Sequence, residues 1–546
     1  MDYQVSLINL SNPGVWAERE IAYIHLGLAY LASFLRKEKI PVEIYDGDFL
    51  QLKNKEIMRK IKESQPDLVG FTATAFTINN VYEVIRGIKK ENHHPVIVLG
   101  GHQATFAAKD ILNENKFIDF IIYGEGEITF SELIKKLANN KEIIDINGIY
   151  HKVNDQIKKT PPRELIEDLD MLPFPARDIF DDCLKGNKEF ILNVISSRGC
   201  PGRCSFCSVS QFYSLSKGLL WRGRSPEKFV DEIEILIQKY GNNLIDISDD
   251  NFIGFKNKGK KRVKEICREI IDRGLKIKFS ISSRADIFNK DEDDLVKLLK
   301  EAGLISIHLG FEAGCQSMLN LYNKKINVNQ LIQAYEIFQQ NNISCSQGNF
   351  IMFNPYTTFK TLKQNIELFF RVDQVLFYEL SSILYLFPGI SLIDKVRKDN
   401  LLRKNFNHSN TLAYNFLDPK IEILAKFLYE SRKNFYFVDA TVGKIDSVLN
   451  IYDYDFLPLL NGKIEHIYLA NKRKILTYKK NIQNSLQEFI KTCIDFLEVN
   501  DNIEYNSIVK DLNIIKLKSI KICEENKNKI ETLAYEIYQL INNFFK

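Results

Sequence analysis

The sequence predicts an α/β protein with a Rossmann-like (flavodoxin-like) domain, a partial (β/α)6 barrel and a mostly helical C-terminal domain. Two stretches alternate apolar segments of strand length with segments of helical periodicity, a pattern typical of parallel sheets covered on both faces. A third stretch keeps the helical periodicity but contains only two glycines and two prolines. The expected boundaries are 1–140 for the first domain, 141–187 for a connector, 188–395 for the barrel and 396–546 for the helical domain.

The first domain is predicted from five apolar strands with helices between them. The strands are expected at residues 5–10, 42–48, 67–74, 95–101 and 117–127. The helices are expected at residues 26–37, 57–64, 81–92 and 130–139. Glycines close the fourth and fifth strands, at the edge where sheets of this class bind ligands.

The connector and the barrel follow from proline content and a second β-α series. Four prolines between residues 160 and 175 predict an extended, stiff segment. Ser225 and Pro226 predict a helix start, as N-cap and first helical residue. Six strands are expected in this series, at residues 190–197, 243–250, 276–283, 304–312, 343–352 and 374–384.

Composition excludes several classes of protein. Lys and Arg total 74 against 70 for Asp and Glu, so no basic field predicts nucleic-acid binding. The first residues lack the pattern of a signal peptide, and no run of 18 apolar uncharged residues predicts a membrane span. The expected location is therefore the cytoplasm. Nine scattered cysteines, an odd number, argue against a disulfide framework.

Three of the nine cysteines form one motif, Cys200-x₃-Cys204-x₂-Cys207, directly after a predicted strand. Three thiolates on one loop can converge on three irons of a cubane cluster and leave the fourth iron open. A structural zinc normally needs a fourth protein ligand, and no nearby Cys or His supplies one. Zinc binding and chance clustering of buried cysteines stay open as alternatives.

This motif, with the aromatic Phe206 before its third cysteine, resembles the radical S-adenosylmethionine (SAM) superfamily. Segments at 221–236, 247–252, 282–286 and 310–314 resemble that family in the same order, and 348–355 does so without the usual Gly-x-Pro-x-Glu-Thr ending. The resemblance implies a [4Fe–4S] cluster on the three cysteines. It also implies SAM contacts from Phe206, Asp249, Asp250, Ser282, Arg284 and Glu312.

The N-terminal segments resemble the cobalamin-binding domain of cobalamin-dependent radical SAM enzymes. They lie at 8–14, 25–37, 66–74, 96–106 and 119–127. The resemblance implies cobalamin contacts from Thr72, Thr74, Gly100, Gly101, Gly124 and Gly126. The Asp-x-His-x-x-Gly motif that supplies an axial histidine elsewhere is absent, and His102 lies in a different context, so no lower axial histidine is expected. A flavodoxin-like fold without ligand stays open.

The resemblance implies radical chemistry with SAM, a [4Fe–4S] cluster and cobalamin as cofactors. The first expected function is methylation of an unactivated carbon in a natural product or metabolite. The alternative is cyclisation, rearrangement or oxidation that uses cobalamin without methyl transfer. An RNA methylthiotransferase is disfavoured because residues 1–182 contain no cysteine, and a cobalamin sensor with a vestigial barrel is disfavoured by the intact motif.

The same resemblance implies a small-molecule or peptide substrate and an electron donor such as flavodoxin or ferredoxin. The helical domain at 396–546 is expected to cap the barrel mouth. Cys315 and Cys345 follow predicted strand ends and are candidate catalytic residues, although small buried cysteines are the simpler interpretation.

Overall fold

The computed structural model forms two compact units, one of residues 1–281 with 387–391 and one of residues 282–386 with 392–546. It describes the chain at residues 3–11, 23–90, 94–143, 145–185, 190–345, 349–404, 406, 412–455, 457, 460, 462–500 and 504–545. The prediction of an α/β protein with parallel sheets and a helical C-terminal region is confirmed. Parts of the segments proposed at 8–14, 81–92 and 348–355 lie outside the described residues.

The first unit begins with a seven-stranded sheet. Its strands are β1 (Val5–Asn9), β2 (Val42–Asp46), β3 (Leu68–Thr72), β4 (Val96–Gly100), β5 (Phe120–Ile122), β6 (Ile149–Val153) and β7 (Gln156–Lys159). Their order is β2-β1-β3-β4-β5-β6-β7, with β1 to β5 parallel and β6 and β7 antiparallel. The sheet thus extends beyond residue 140, because β6 and β7 continue it from the expected connector.

Helices cover both faces of this sheet. They are α1 (Leu26–Lys37), α2 (Asn54–Ser64), α3 (Ile78–Ile88), α4 (Gly101–Phe106), α5 (Ala108–Glu114) and α6 (Glu127–Ala138). Alternate residues of each strand face opposite layers: Leu7 and Val98 pack with α1 and α6, whereas Ile8 and Leu99 pack with α2, α3 and α5. The predicted helix at 26–37 is confirmed with the same bounds, capped by the His25 Nδ1, which accepts from the Leu28 N–H at 3.2 Å.

The rest of the first unit holds the cysteine motif. Its elements are α7 (Asp178–Lys185), β8 (Leu192–Val194), β9 (Ser197–Gly199), α8 (Val209–Ser214), β10 (Trp221–Gly223), α9 (Pro226–Tyr240), β11 (Leu244–Ile247), α10 (Lys256–Asp272) and β12 (Lys278–Arg284). Strands β8, β11 and β12 are parallel, as predicted. Strands β9 and β10 form a separate antiparallel pair, in which Arg198 is opposite Arg222. The cysteine motif lies between β9 and α8.

The second unit continues the β-α series with fewer strands than predicted. Its elements are α11 (Asp293–Glu301), β13 (Leu304–Gly310), α12 (Gln316–Leu321), α13 (Val328–Gln340), α14 (Phe359–Arg371), α15 (Phe377–Leu380) and α16 (Leu392–Lys398). Residues 346–348 of the strand expected at 343–352 lie outside the described part of the chain. The described residues of that segment and of the one at 374–384 form no regular strand, so these two predictions are wrong there: single bridges, Ser306 to Ser344 and Phe353 to Ile383, replace the strands. No closed barrel forms in the described part of the chain.

The short helix α15 has a clear cause. The carboxylate of Asp439 accepts the backbone N–H groups of Phe377 at 2.6 Å and Tyr378 at 2.9 Å. Capping of exposed N–H groups by a carboxylate favours helix over strand at this point. Asp439 lies 62 residues from Phe377 in the sequence, so the local pattern could not indicate it.

The C-terminal part of the second unit is helical, which confirms the prediction. It consists of α17 (Pro419–Asp455), α18 (Gly462–Val499) and α19 (Tyr505–Phe545). Ile482, Leu486 and Ile490 repeat at helical spacing on α18 and are fully buried, so these helices stabilise one another through apolar stripes. Across the described residues, every helix is too short or too polar to span a bilayer.

Candidate functional site

A cavity of about 330 Å³ opens in the first unit at the carboxyl ends of β3, β4 and β5. Five of the six residues predicted to contact cobalamin line it: Thr72, Gly100, Gly101, Gly124 and Gly126. Thr74, the sixth, is not among the lining residues. Its hydroxyl lies 3.2 Å from that of Thr77, and its N–H donates to Thr77 Oγ1 at 3.0 Å, which shapes the turn before α3.

The glycines give this cavity its room. A β-carbon at Gly100 would meet no atom within 4 Å, and one at Gly124 would meet only Ser216 Oγ at 3.7 Å. Gly101 has φ of +91°, and a β-carbon there would lie 2.9 Å from Thr72 Oγ1. The backbone can therefore approach a large ligand at Gly100 and Gly124, whereas Gly101 is needed for the sharp entry into α4. This fits a flat, bulky cofactor.

Buried ion pairs form one wall of the cavity. Glu125 and Glu127 follow the cavity glycines directly. Arg198 donates to Glu125 Oε1 at 3.1 Å and to Glu127 Oε1 at 2.5 Å, and Arg222 donates to Glu125 Oε2 at 2.9 Å. Sequence reasoning missed these four residues. The only available signal was two acidic residues that alternate with two glycines after a strand end.

The cysteine motif follows Arg198 within two residues and lies on a loop held by backbone contacts. Cys200 Sγ accepts from the Gly202 N–H at 3.4 Å and from Asn251 Nδ2 at 3.7 Å. The Cys207 N–H donates to the Cys204 carbonyl at 3.2 Å. Burial raises the pKa of Cys207 to about 12, opposed by the Val209 N–H, and the nearby thiols of Cys204 and Cys200 raise it further. A metal must therefore displace the protons when it binds.

The donor set of this loop is three thiols. Such a set suits the three cysteine-bound irons of a cubane cluster. A structural zinc ion usually takes four protein ligands. The placement of the cluster on these three cysteines stays a prediction.

Gly199, next to Cys200, is the most constrained residue of this loop. Its φ is +87°, and a β-carbon would lie 1.9 Å from the carbonyl oxygen of Leu220. We expect Gly199→Ala to destabilise the protein by roughly 2–5 kcal/mol, the sum of backbone strain and a clash with backbone that cannot move away. Urea unfolding measures this. Gly274→Ala, with φ of +65° and open space around it, is the matched control; equal losses in both variants would contradict the steric argument.

Two adjacent aspartates after β11 have different environments. Asp249 accepts four hydrogen bonds, from the N–H and hydroxyl groups of Ser196 and Ser197, at 2.5 to 3.0 Å. Those bonds occupy both oxygens of the Asp249 carboxylate. Asp249 thereby positions the strand before the cysteine motif. Asp250 lines the cavity and accepts one hydrogen bond, from the Gly199 N–H at 3.2 Å. Burial raises the pKa of Asp250 to about 6, against the Gly199 N–H. Asp250 thus has fewer protein hydrogen bonds than Asp249, and the SAM contacts of both stay predictions.

Phe206 lies half-buried on the cysteine loop, and three further predicted SAM residues, Ser282, Arg284 and Glu312, belong to the second unit. Ser282 and Arg284 lie at the end of β12, whose first four residues belong to the first unit. Arg284 donates to Asp286 Oδ1 at 2.9 Å and to the Lys324 carbonyl at 2.7 Å. Glu312 forms a buried ion pair with Lys324 at 2.6 Å. Sequence reasoning missed Lys324, whose partner lies 12 residues earlier.

Glu312 has φ of +65°, an uncommon conformation for a residue with a side chain. Gly310 leaves room for the ion pair, because a β-carbon there would lie 2.7 Å from Glu312 Oε1 and 2.8 Å from Lys324 Nζ. Residues held in such a conformation concentrate at functional sites. The SAM contacts of Ser282, Arg284 and Glu312 stay predictions.

Cys315 and Cys345 are buried thiols of the second unit. Cys315 is the N-cap of α12, and its sulfur accepts from Ser317 Oγ at 3.7 Å. Burial raises the pKa of Cys345 to about 12, against a hydrogen bond from Gln339. Such a thiol is inert as a nucleophile near neutral pH. The simpler interpretation, a small buried residue, accounts for Cys345.

Glu379 of α15 is a buried carboxyl that the sequence did not indicate. Its Oε1 accepts from the Asn349 N–H at 3.3 Å, and its Oε2 has no partner among the described residues. Burial raises the pKa of Glu379 to about 8, against the Asn349 N–H. The folded protein therefore keeps this proton at a pH where the unfolded chain, with a pKa of 4.5, has lost it.

From this it follows that stability falls as the pH rises through the window from 4.5 to about 8. We expect Glu379→Gln, which needs no proton, to flatten that decline by on the order of 3 kcal/mol. Urea unfolding at several pH values measures it. Glu336→Gln, at an exposed glutamate, is the control; a wild-type slope retained by Glu379→Gln would refute this assignment.

Comparisons with known proteins identify the families that this chain is similar to. The model described as B12 binding domain matches residues 14–134, and the Radical SAM superfamily model matches residues 194–369. A Pyrococcus horikoshii protein named as an uncharacterized methyltransferase is 33% identical over 419 residues, which cover 75% of this chain and 87% of that protein. The anaerobic magnesium-protoporphyrin IX monomethyl ester cyclase of Rubrivivax gelatinosus is 31% identical, over 62% of this chain and 61% of the cyclase.

Solved structures show the same fold. The cobalamin-dependent S-adenosylmethionine radical enzyme OxsB, with aqua-cobalamin and S-adenosylmethionine bound, matches with a TM-score of 0.76 at 19% identity, over 99% of this chain and 84% of that chain. The radical S-adenosylmethionine methyltransferase TsrM from Kitasatospora setae, with cobalamin and a [4Fe–4S] cluster bound, matches with a TM-score of 0.57 at 18% identity. That match covers 73% of this chain and 75% of TsrM.

Proposed function

Because this chain belongs to the family of cobalamin-dependent radical SAM enzymes, we propose that it methylates an unactivated carbon of a natural product or metabolite. Its cofactors are a [4Fe–4S] cluster, SAM and cobalamin. One observation carries the proposal: a single cavity is lined by the glycines of the B12 domain and by Ser197, Arg198 and Asp250, which adjoin the cysteine motif. This lining supports a site at which both cofactors would act on one substrate.

When bound, the cluster would supply an electron for reductive cleavage of SAM, and cobalamin would supply a methyl group. The residues of this chain would bind and orient these groups. Cys200, Cys204 and Cys207 would hold the cluster, and Gly100 and Gly124 would leave room for the corrin ring. Apolar residues such as Leu7, Val98 and Phe130 line the inner cavity and exclude water from it.

The test is product analysis with the reduced, reconstituted enzyme and SAM labelled on its methyl group. A methyltransferase of this type yields S-adenosylhomocysteine from methyl donation and 5′-deoxyadenosine from radical formation. We expect both products, and label in a compound of the extract used as substrate source. Absence of 5′-deoxyadenosine from an enzyme with full iron and corrinoid loads would overturn the proposal.

The second candidate is cyclisation, rearrangement or oxidation that uses cobalamin without methyl transfer. It is favoured by the similarity to the magnesium-protoporphyrin cyclase of Rubrivivax gelatinosus. In that case 5′-deoxyadenosine forms without a matching amount of S-adenosylhomocysteine. The same product analysis therefore separates the two candidates.

For partners, we propose a small-molecule or peptide substrate and a low-potential one-electron donor such as flavodoxin or ferredoxin. Near balance of basic and acidic residues supports the absence of nucleic acid as substrate. We also propose a reducing compartment such as the cytoplasm, since the cysteines whose side chains the structure describes form no disulfide with one another.

His102 lines the cavity next to the glycine pair of β4 and contacts the Phe212 ring edge-on, with centroids 4.5 Å apart. Burial lowers its pKa, which favours the neutral ring. We nevertheless expect no axial histidine, because the motif that places one is absent. The electron paramagnetic resonance (EPR) spectrum of bound cob(II)alamin should show no nitrogen splitting from the protein and should be unchanged in His102→Ala. Splitting lost in that variant would reverse this expectation.

A further inference from the structure

We propose that Arg198 is a positioning residue that fixes the cluster-binding loop against the corrinoid cavity through Glu125 and Glu127. This inference rests on the proposed function and extends it to residues outside the cysteine motif. Its starting point is location: Arg198 lies two residues before Cys200, and both glutamates lie in the cavity-lining segment that contains Gly124 and Gly126.

The contact is a fork that joins two elements far apart in sequence. One guanidinium nitrogen of Arg198 bonds Glu125 at 3.1 Å and another bonds Glu127 at 2.5 Å, across 73 and 71 residues. The side chains are only 12%, 7% and 6% exposed. The planar guanidinium holds two carboxylates at once in a way that a lysine cannot. The orientation of the β9 strand is thereby set by the cavity loop.

A second arginine strengthens the same junction. Arg222 is opposite Arg198 in the β9–β10 pair and bonds the other oxygen of Glu125 at 2.9 Å. The Ile166 N–H also donates to that oxygen, at 2.8 Å. The two arginines and two glutamates carry equal and opposite charges, so this group of side chains is neutral overall. Both strands of the pair are therefore anchored to one glutamate of the cavity loop.

The burial of these ion pairs bears on whether they serve to stabilise the fold or to set the geometry of the site. Buried ion pairs contribute little net stability, because desolvation offsets their attraction, and apolar residues would serve packing as well. What they add is a single defined geometry. The strand that carries Arg198 is further fixed by the four hydrogen bonds to Asp249 and by Gly199, which has no space for a side chain. A shift at Arg198 is thus transmitted to Cys200.

The test uses the holoenzyme with Glu127→Gln, which keeps the shape of the side chain but weakens the fork. Arg198→Lys is the second variant, which keeps the charge and loses the fork. Glu132→Gln, in the Arg163–Glu132 pair on α6 and outside the cavity lining, is the matched control. Iron and corrinoid contents are measured first in all three.

Two readouts follow. The ratio of 5′-deoxyadenosine to S-adenosylhomocysteine should rise at least threefold in both fork variants, since radical formation is no longer matched to methyl transfer. Microwave power saturation of the cob(II)alamin EPR signal, measured with the reduced cluster present, should occur at lower power, because spin relaxation by the cluster depends on its placement. The control should match the wild type in both.

Unchanged readouts in fully loaded fork variants would overturn the inference, and so would equal changes in Glu132→Gln. The inference would also be contradicted if both fork variants lost both cofactors while the control kept them, because the ion-pair network would then serve folding. If the wild type forms no S-adenosylhomocysteine, methyl transfer fails as a function. The power-saturation measurement still tests the positioning role in that case.

Discussion

Cys200→Ser should abolish formation of 5′-deoxyadenosine and lower bound iron to background. A serine hydroxyl is a poor ligand for an iron–sulfur cluster, and two remaining thiolates hold it too weakly. Cys204→Ser and Cys207→Ser should behave in the same way, because each cysteine is expected to bind a different iron. Iron content, visible absorbance and product analysis under anaerobic conditions measure the effect.

The control for this experiment is Cys523→Ser, at a buried cysteine of α19 with the hydroxyls of Ser519 and Ser485 beside it. It should retain iron and activity, because a hydroxyl finds hydrogen-bond partners there. If Cys200→Ser kept a full iron load, the cysteine motif would not be the cluster site. The entire assignment of the radical chemistry would then be withdrawn.

Gly100→Leu should lose corrinoid while the fold persists. A side chain at this position meets no protein atom within 4 Å of its β-carbon, so it enters the space that the cofactor needs. Overpacking costs of about 1–3 kcal/mol correspond to roughly 5- to 150-fold weaker binding. Titration with hydroxocobalamin, followed by absorbance, measures the dissociation constant.

Gly443→Leu on α17 is the size-matched control, since its β-carbon also meets open space. Its affinity for corrinoid should equal that of the wild type. Wild-type affinity in Gly100→Leu would show that the corrin ring lies elsewhere, and the proposal of a shared cavity would fail with it.

Local sequence patterns predicted most of the elements but not their long-range partners. The helix at 26–37 was found because its apolar residues recur at helical spacing over three turns. The strand expected at 374–384 was wrong because Asp439 caps a helical turn there from the distant helix α17. Which strand β6 would pair with could not be predicted, because short alternating segments do not specify the partner or the register of a strand.

The candidate site shows the same division: its local signals could be predicted from the sequence, and its long-range contacts could not. Glycines at strand ends and a cysteine triplet are local signals, and the structure places five of the six proposed cobalamin contacts on one cavity. The Arg198 fork and the Glu312–Lys324 pair are tertiary contacts between charged residues that look like ordinary surface residues in the sequence. Burial, which distinguishes them, is a property of the folded chain.

The antiparallel pair β6–β7 has a consequence for handling the protein. It replaces an exposed parallel edge at β5 with the four-residue strand β7, whose sequence ends in Lys158 and Lys159 and whose residues are mostly exposed. Short, lysine-bearing edge strands hinder edge-to-edge strand pairing between separate molecules. In the concentrated, oxygen-free samples that spectroscopy requires, the protein should therefore not aggregate through this edge of the sheet.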